Sequence, residues 1–267
     1  MQMKMAFIGD NGLEGVESDS RLAAENGFEG IEYNFWGEFR DLKMETVKQM
    51  AAIHQKHSTK AAMLGTWGFN HLASDPAERE EAKTLLDRQI EFAQVLKAEW
   101  IVTSCGQLYG EPIGASVPAF VKHFAPVMEK VQKAGLKLAF YALHGHSFLD
   151  SLALMERVWE IMPEMRLKYD PANWKSHGDD YLDIVRRYGN KMGYVHIKDQ
   201  IYIGGRSVSE PPAGMGDIEF PKVLAFLYQH NYDGYLSIEP HGGTWGRGEL
   251  RRKNILISKR YIQTMLV

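Results

Sequence analysis

The chain has almost no cysteine: Cys105 stands alone among 267 residues. An intramolecular disulfide is excluded, and with charges spaced along the sequence the expected setting is reducing and cytoplasmic. Nor does any apolar run approach the roughly 18 residues needed to span a bilayer, so no membrane contact is expected. The opening MQMKMAFIGDNG lacks the charged, apolar and small-residue order of a secretory signal. An excess of one charge is missing too. A net charge of −3 argues against a broad nucleic-acid surface. The one basic run, Arg251-Arg252-Lys253 with Lys259-Arg260, has the form of a solvated helix face. No linker rich in Pro, Ser or Gly breaks the chain, so residues 1–267 read as a single domain.

What is present is a repeated alternation of short apolar runs and longer amphipathic segments. Eight runs have the length and continuous apolar character of strands buried on both faces. They are Lys4–Gly9, Gly30–Tyr33, Thr59–Leu64, Trp100–Ser104, Lys137–Ala142, Arg166–Tyr169, Met192–Ile197 and Tyr235–Ile238. Helical spacing lies between them. Ser74-Asp75-Pro76 forms a start signal before Leu86, Ile90, Ala93 and Leu96. From Ser116, Phe120, Phe124, Val127 and Val131 make one stripe that Gly135 ends. Eight β-then-α units predict right-handed crossovers and closure as a (β/α)₈ TIM barrel. An open doubly wound sheet would carry a glycine-rich phosphate turn after its first strand, and Gly9-Asp10-Asn11-Gly12 lacks the GxGxxG spacing.

Barrels of this kind do their chemistry where strands end. The sixth predicted strand ends in Tyr169-Asp170-Pro171-Ala172-Asn173, the seventh in His196-Ile197-Lys198-Asp199, and the eighth in Ile238-Glu239-Pro240-His241. Asp170, His196 and Glu239 thus sit on consecutive strands at one height. Strands lie about 4.8 Å apart, close enough for three such side chains to share one divalent ion: Mn²⁺, Co²⁺, Zn²⁺ or Mg²⁺. Separately, each has a plainer use: Asp170 as a helix cap, His196 as a bonded core residue, Glu239 as a partner to a nearby cation.

These segments resemble the xylose isomerase-like sugar isomerases and epimerases. The likeness is most specific in Tyr169–Asn173, in Tyr194–Asp199, in Gly214-Met215-Gly216-Asp217-Ile218-Glu219-Phe220 and in Tyr232–Glu239. Gly27-Phe28-Glu29-Gly30-Ile31-Glu32 resembles the family's second-strand signature. The resemblance implies four metal ligands, from strands five to eight, of which Asp170, His196 and Glu239 match. At the fifth, Tyr141 falls where a glutamate is expected, followed by His144 and His146. A strand-five and a strand-eight glutamate would form the acid–base pair of an epimerase, and a phenol near pKa 10 is a poor base. His144 or His146 could replace the ligand, three protein ligands could suffice, or the metal could be lost.

The expected activity is a divalent-metal-assisted isomerase, epimerase or related lyase acting on a sugar, keto-sugar or polyol through an enediolate. Glu239, His144 and Lys198 are the candidate catalytic groups. Trp36, Trp67, His71, Asn173 and Arg206 are the candidate substrate-binding residues: flat indole faces for sugar C–H groups, polar and cationic side chains for hydroxyls or anionic oxygens. The alternative is a non-catalytic or metal-less barrel that binds a sugar-like ligand or a partner subunit. A homo-oligomer stays open, and a nuclease would need a multi-zinc cluster and a basic groove that the sequence does not show.

Overall fold

The computed structural model describes residues 2–267. Its strands are β1 (Lys4–Ile8), β2 (Gly30–Phe35), β3 (Ala61–Thr66), β4 (Trp100–Thr103), β5 (Lys137–Phe140), β6 (Leu167–Tyr169), β7 (Met192–Ile197), β8 (Ile201–Ile203), β9 (Arg206–Ser209) and β10 (Tyr235–Ile238). The helices are α1 (Leu13–Asn26), α2 (Met44–His57), α3 (Pro76–Leu96), α4 (Ser116–Lys133), α5 (Leu152–Ile161), α6 (Pro171–His177), α7 (Tyr181–Tyr188), α8 (Phe220–Gln229) and α9 (Gly248–Gln263). Eight strands close as a barrel in the order β1-β10-β7-β6-β5-β4-β3-β2, and β8 with β9 makes a separate hairpin. This is the TIM barrel that the eight apolar runs predict. The hairpin is not predicted: its strands are short and largely exposed, so they carry no continuous apolar run.

The chain divides into two compact units, Gly9–Leu167 and the residues before Gly9 together with Lys168–Val267. In the first, β2 to β6 pair in parallel, neighbour to neighbour. Helix α3 starts as its sequence signals, with Asp75 accepting from Ala77 N at 2.8 Å and proline in the first turn. Its Gln89 reaches the sheet and donates to Leu64 O (2.8 Å) and Val102 O (2.9 Å). Helix α4 buries Phe120, Phe124 and Val131, and ends at Gly135, whose φ of +77° is the left-handed conformation that glycine adopts without strain. Each fully buried phenylalanine of this layer stabilises the fold by about 2–3 kcal/mol.

In the second unit, β10 lies between β1 and β7, with Ser237 opposite His196 and Ile238 opposite Ile197. Continuing that register brings Glu239 level with Lys198, and Glu239 N donates to Ile197 O at 3.0 Å. Asp199 fastens the loop that follows: its carboxylate accepts from the backbone N–H groups of Gln200, Gly214, Gly216 and Ile218 at 2.9–3.0 Å. Gly216 is required there, because a Cβ would lie 2.3 Å from Asp199 Oδ1. Part of the basic run on α9 departs from the solvated face read in the sequence: Lys259 is buried, and Arg251 donates to Ile8 O at 2.7 Å. No helix of the described residues is long and apolar enough to cross a membrane.

Candidate metal centre

Residues two apart in an extended chain point to the same side. Lys168 and Asp170, His196 and Lys198, and Ser237 and Glu239 are such pairs, at the ends of β6, β7 and β10. Asp170 also begins α6: its Oδ1 accepts from Ala172 N at 3.0 Å and Asn173 N at 3.1 Å, with Pro171 in the first turn. Oδ2 is left over. It is buried and takes part in no directed hydrogen bond, with Lys198 Nζ at 3.1 Å, Lys168 Nζ at 3.6 Å and His196 Nδ1 at 3.8 Å. Capping and ligation therefore draw on different oxygens of one carboxylate.

His196 Nδ1 lies 2.5 Å from Glu239 Oε2, and Glu239 Oε1 lies 3.4 Å from Lys198 Nζ. One ligand-type atom from each of Asp170, His196 and Glu239 falls within 4.8 Å of the other two, the only such trio among the described residues. Two carboxylate oxygens and an imidazole nitrogen suit a divalent ion of the Mn, Co, Zn or Mg class, and distances of this size close to ordinary ligation by small side-chain adjustments. The orphaned Oδ2 is the kind of buried atom such an ion would satisfy.

The electrostatics fit ionised ligands. Burial by itself would raise Asp170, but the Lys198 and Lys168 ammonium groups hold it below the usual carboxylate range. Burial likewise opposes ionisation of Glu239, and Lys198 and His196 overcome it, holding that carboxyl well below its ordinary value. Lys198 is buried, which favours the neutral amine, yet Asp170 and Glu239 together hold its proton more tightly than in an exposed lysine. Its Nζ also donates to Asn173 Oδ1 at 2.7 Å.

The remaining expected residues divide. Asn173 joins the centre through Lys198. Arg206 is exposed on β9, in the hairpin. His71 is buried against α4, 5.3 Å from the Phe124 ring, with Nε2 2.9 Å from Thr103 Oγ1. In the Gly9–Leu167 unit an aromatic group gathers around Trp67. Its ring centroid is 6.3 Å from Trp36, 5.8 Å from His144 and 4.2 Å from Tyr141. Trp36 is 50% exposed, so this group presents open indole surface. Tyr141 is locked: its hydroxyl donates to Gly145 O at 2.6 Å and accepts from Gly68 N at 3.2 Å, and burial raises its pKa above the ordinary phenol value. It is a structural phenol and no substitute for a carboxylate base. His144 stacks on it at 4.9 Å, and His146 Nδ1 pairs with Tyr109 Oη at 3.0 Å. Leu143 (φ 74°) and His146 (φ 63°) both hold left-handed backbone, a strained pair within one loop.

Three residues at or beside the centre escape the strand-end reading. Lys168 is one; its spacing of two from Asp170 is the signal that could have found it. His241 and Glu210 are the others, with His241 Nδ1 2.9 Å from Glu210 Oε1 and Nε2 4.0 Å from Glu239 Oε1. That contact joins a residue after β10 to one after β9, and no local pattern announces it.

Inosose dehydratase of Clostridium tetani is 24% identical over 204 residues, covering 65% of this chain and 67% of that one. Inosose dehydratase of Clostridium perfringens is 24% identical over 124 residues, and there the match spans 41% of the relative's length and 40% of this chain. Among solved structures, D-allulose 3-epimerase from Methylomonas sp. superposes with a TM-score of 0.77 at 16% identity, over 99% of this chain and 98% of that one. The IOLI protein with a bound zinc atom gives 0.78 at 15% identity, over 98% of each chain. At such identities the structural likeness speaks for the fold. The profile of the xylose isomerase-like TIM barrel matches residues 20–261, nearly the whole sequence, and the chain belongs to that family.

Proposed function

We propose that this chain, acting as one domain over residues 1–267, is a metal-assisted enzyme that removes a proton next to the carbonyl of a sugar, keto-sugar or polyol-derived ketone. The carrying observation is the convergence of Asp170, His196 and Glu239 within 4.8 Å, with Asp170 Oδ2 buried beside two ammonium groups but in no directed hydrogen bond. The relatives' names support the substrate class: dehydration of an inosose and 3-epimerisation of a ketose both begin with loss of a C–H proton beside a carbonyl.

Asp170 Oδ2, His196 Nδ1 and a Glu239 oxygen would hold the ion. A divalent cation there supplies Lewis acidity, polarising the substrate carbonyl and acidifying the neighbouring C–H. Glu239, ionised and 13% exposed at its side chain, is the carboxylate able both to face substrate and to ligate. Lys198 keeps its proton, so its part is to donate a hydrogen bond to the oxygen on which enediolate charge develops. Asn173 holds that ammonium in place at 2.7 Å. Trp36 and Trp67 offer apolar faces suited to sugar C–H groups.

A second reading has one observation in its favour. Lys198 and Lys168 already balance the two carboxylates, so a metal-free barrel that binds a sugar-like ligand is electrostatically self-consistent. Solvent exchange separates the two. Metal-replete protein in D₂O should wash deuterium into a ketohexose or inosose at the carbon beside the carbonyl, whatever the final product. A panel of ketohexoses and inososes showing no exchange in the presence of Mn²⁺, Co²⁺ or Zn²⁺ would rule out the proton-abstraction reading.

A further inference from the structure

Between α3 and α4, on the helical layer of the Gly9–Leu167 unit, lies a groove of about 650 Å³, a volume typical of small-molecule sites. Pro126 stands inside α4 on its wall. Proline has no N–H to donate to the carbonyl four residues back, which loosens the helix at Lys122.

The lining combines two chemistries. Leu72, Leu108, Pro126 and Val127 form apolar wall, while Arg79, Lys83, Lys122 and Lys130 surround it. The single carboxylate of the lining, Asp87, is already engaged by Lys130 at 2.7 Å. Lys83 also meets Glu80, outside the lining, at 3.3 Å and Arg79 donates to Ala73 O at 2.6 Å, so the groove is an apolar slot whose lining residues carry an excess of positive charge.

His71 and His123 add directed recognition. Thr103 is buried, and its hydroxyl receives the Thr66 hydroxyl at 3.3 Å. Thr66 also reaches Gln89 Oε1 at 3.1 Å, and Thr103 Oγ1 lies 2.9 Å from His71 Nε2. With Thr103 donating to Nε2, the neutral imidazole carries its hydrogen on Nδ1. Yet Nδ1 has no partner, although His71 is only 1% exposed. His123 Nε2 is likewise buried and unpartnered, and the two rings lie 5.7 Å apart. Burial pushes His71 down to about 3 and keeps it neutral, with the His123 ring adding to the effect. A buried polar nitrogen without a hydrogen-bond partner costs about 1–3 kcal/mol. Its retention beside four cations is explained if an oxygen acceptor arrives from outside.

We propose that this groove is a second ligand site, separate from the metal centre, which takes a small organic anion. The carboxylate or phosphate head would meet His71 Nδ1–H, Arg79 and Lys122, and an apolar body would lie along Leu72, Leu108 and Val127. A head group can reach nitrogens at that depth, whereas the face of an acidic helix cannot.

Benzylphosphonate serves as the probe, with benzyl alcohol as its uncharged counterpart. Protein carrying ¹⁵N-histidine is titrated with each, alongside Lys83→Glu/Lys122→Glu, the milder Lys122→Gln and Asp170→Asn. Benzylphosphonate should saturate at one per chain and move the ring-nitrogen signals of His71 and His123. Its affinity should fall about tenfold or more in the charge-reversed variant and less, in the same direction, in Lys122→Gln. It should persist in Asp170→Asn, which separates this site from the strand-end centre. Absence of saturable binding would overturn the proposal. So would equal affinity for benzyl alcohol, or binding that ignores both lysine variants and leaves the two histidines unmoved.

Discussion

Replacing Lys198 with methionine keeps an unbranched side chain, one atom shorter, and removes its charge from between two buried carboxylates. In the native protein Nζ lies 3.1 Å from Asp170 Oδ2 and 3.4 Å from Glu239 Oε1. At an effective dielectric constant of about 20, each contact is a gross attraction of about 5 kcal/mol. Much of this offsets the desolvation of the ammonium, and breaking a buried pair of this kind costs a net of about 3–5 kcal/mol. Lys168, 3.6 Å from Asp170, and His196 remain to soften the loss, which points to the lower end, about 3 kcal/mol. Metal affinity should move the opposite way, because the variant removes a positive charge beside a dication. Metal-free Lys198→Met should therefore unfold at lower urea, bind Mn²⁺ more tightly by at least about tenfold, and lose most of its proton-exchange activity. Urea titration of the metal-free protein and calorimetric titration with Mn²⁺ read both terms. Unchanged metal-free stability with unchanged or weaker Mn²⁺ affinity would refute the electrostatic reasoning.

Acid should destabilise the fold through His54, whose pKa burial pushes down to about 4 while its ring nitrogens contact Tyr33 Oη and Thr59 Oγ1, each at 2.9 Å. The unfolded chain binds that proton near pH 6.5 and the folded one does not, so stability falls by about 3 kcal/mol between pH 6.5 and pH 4. Urea midpoints across that window should show the slope, and His54→Gln should reduce it while the likewise buried His71 keeps the remainder. Asp199→Ala strips four backbone N–H groups of their acceptor and should cost about 2–4 kcal/mol, seen as a lower melting temperature and early proteolysis in the 214–218 loop. Lys97 closes α3 in the left-handed region, at φ 54°, so Lys97→Gly should stabilise by about 0.5–1 kcal/mol, a small upward shift in calorimetry.

The barrel was legible because each of its strands is buried on both faces and so reads as a short apolar run; all eight predicted segments overlap the observed ones. The hairpin β8–β9 was not, since an exposed two-stranded ribbon leaves no hydrophobic period. The convergence of Asp170, His196 and Glu239 could be inferred because the ends of neighbouring parallel strands gather at one face, although the register sets Glu239 level with Lys198, two residues beyond His196. Lys168 lay hidden two residues before Asp170, in a strand read only for its apolar content. His71 was drawn to the strand-end face by its place after β3, yet it turns into the helical layer, where Thr103 and the Phe124 ring receive it. Loop direction depends on contacts distant in sequence, and neither spacing nor composition encodes it.

The proposed function rests on Asp170, His196 and Glu239 binding one divalent ion. Elemental analysis of purified wild-type protein, Asp170→Ala and Glu239→Ala after Mn²⁺ loading and desalting tests it directly. Wild-type protein should hold about one ion per chain and either variant essentially none, with circular dichroism confirming that each is folded. Equal metal content in all three would contradict it.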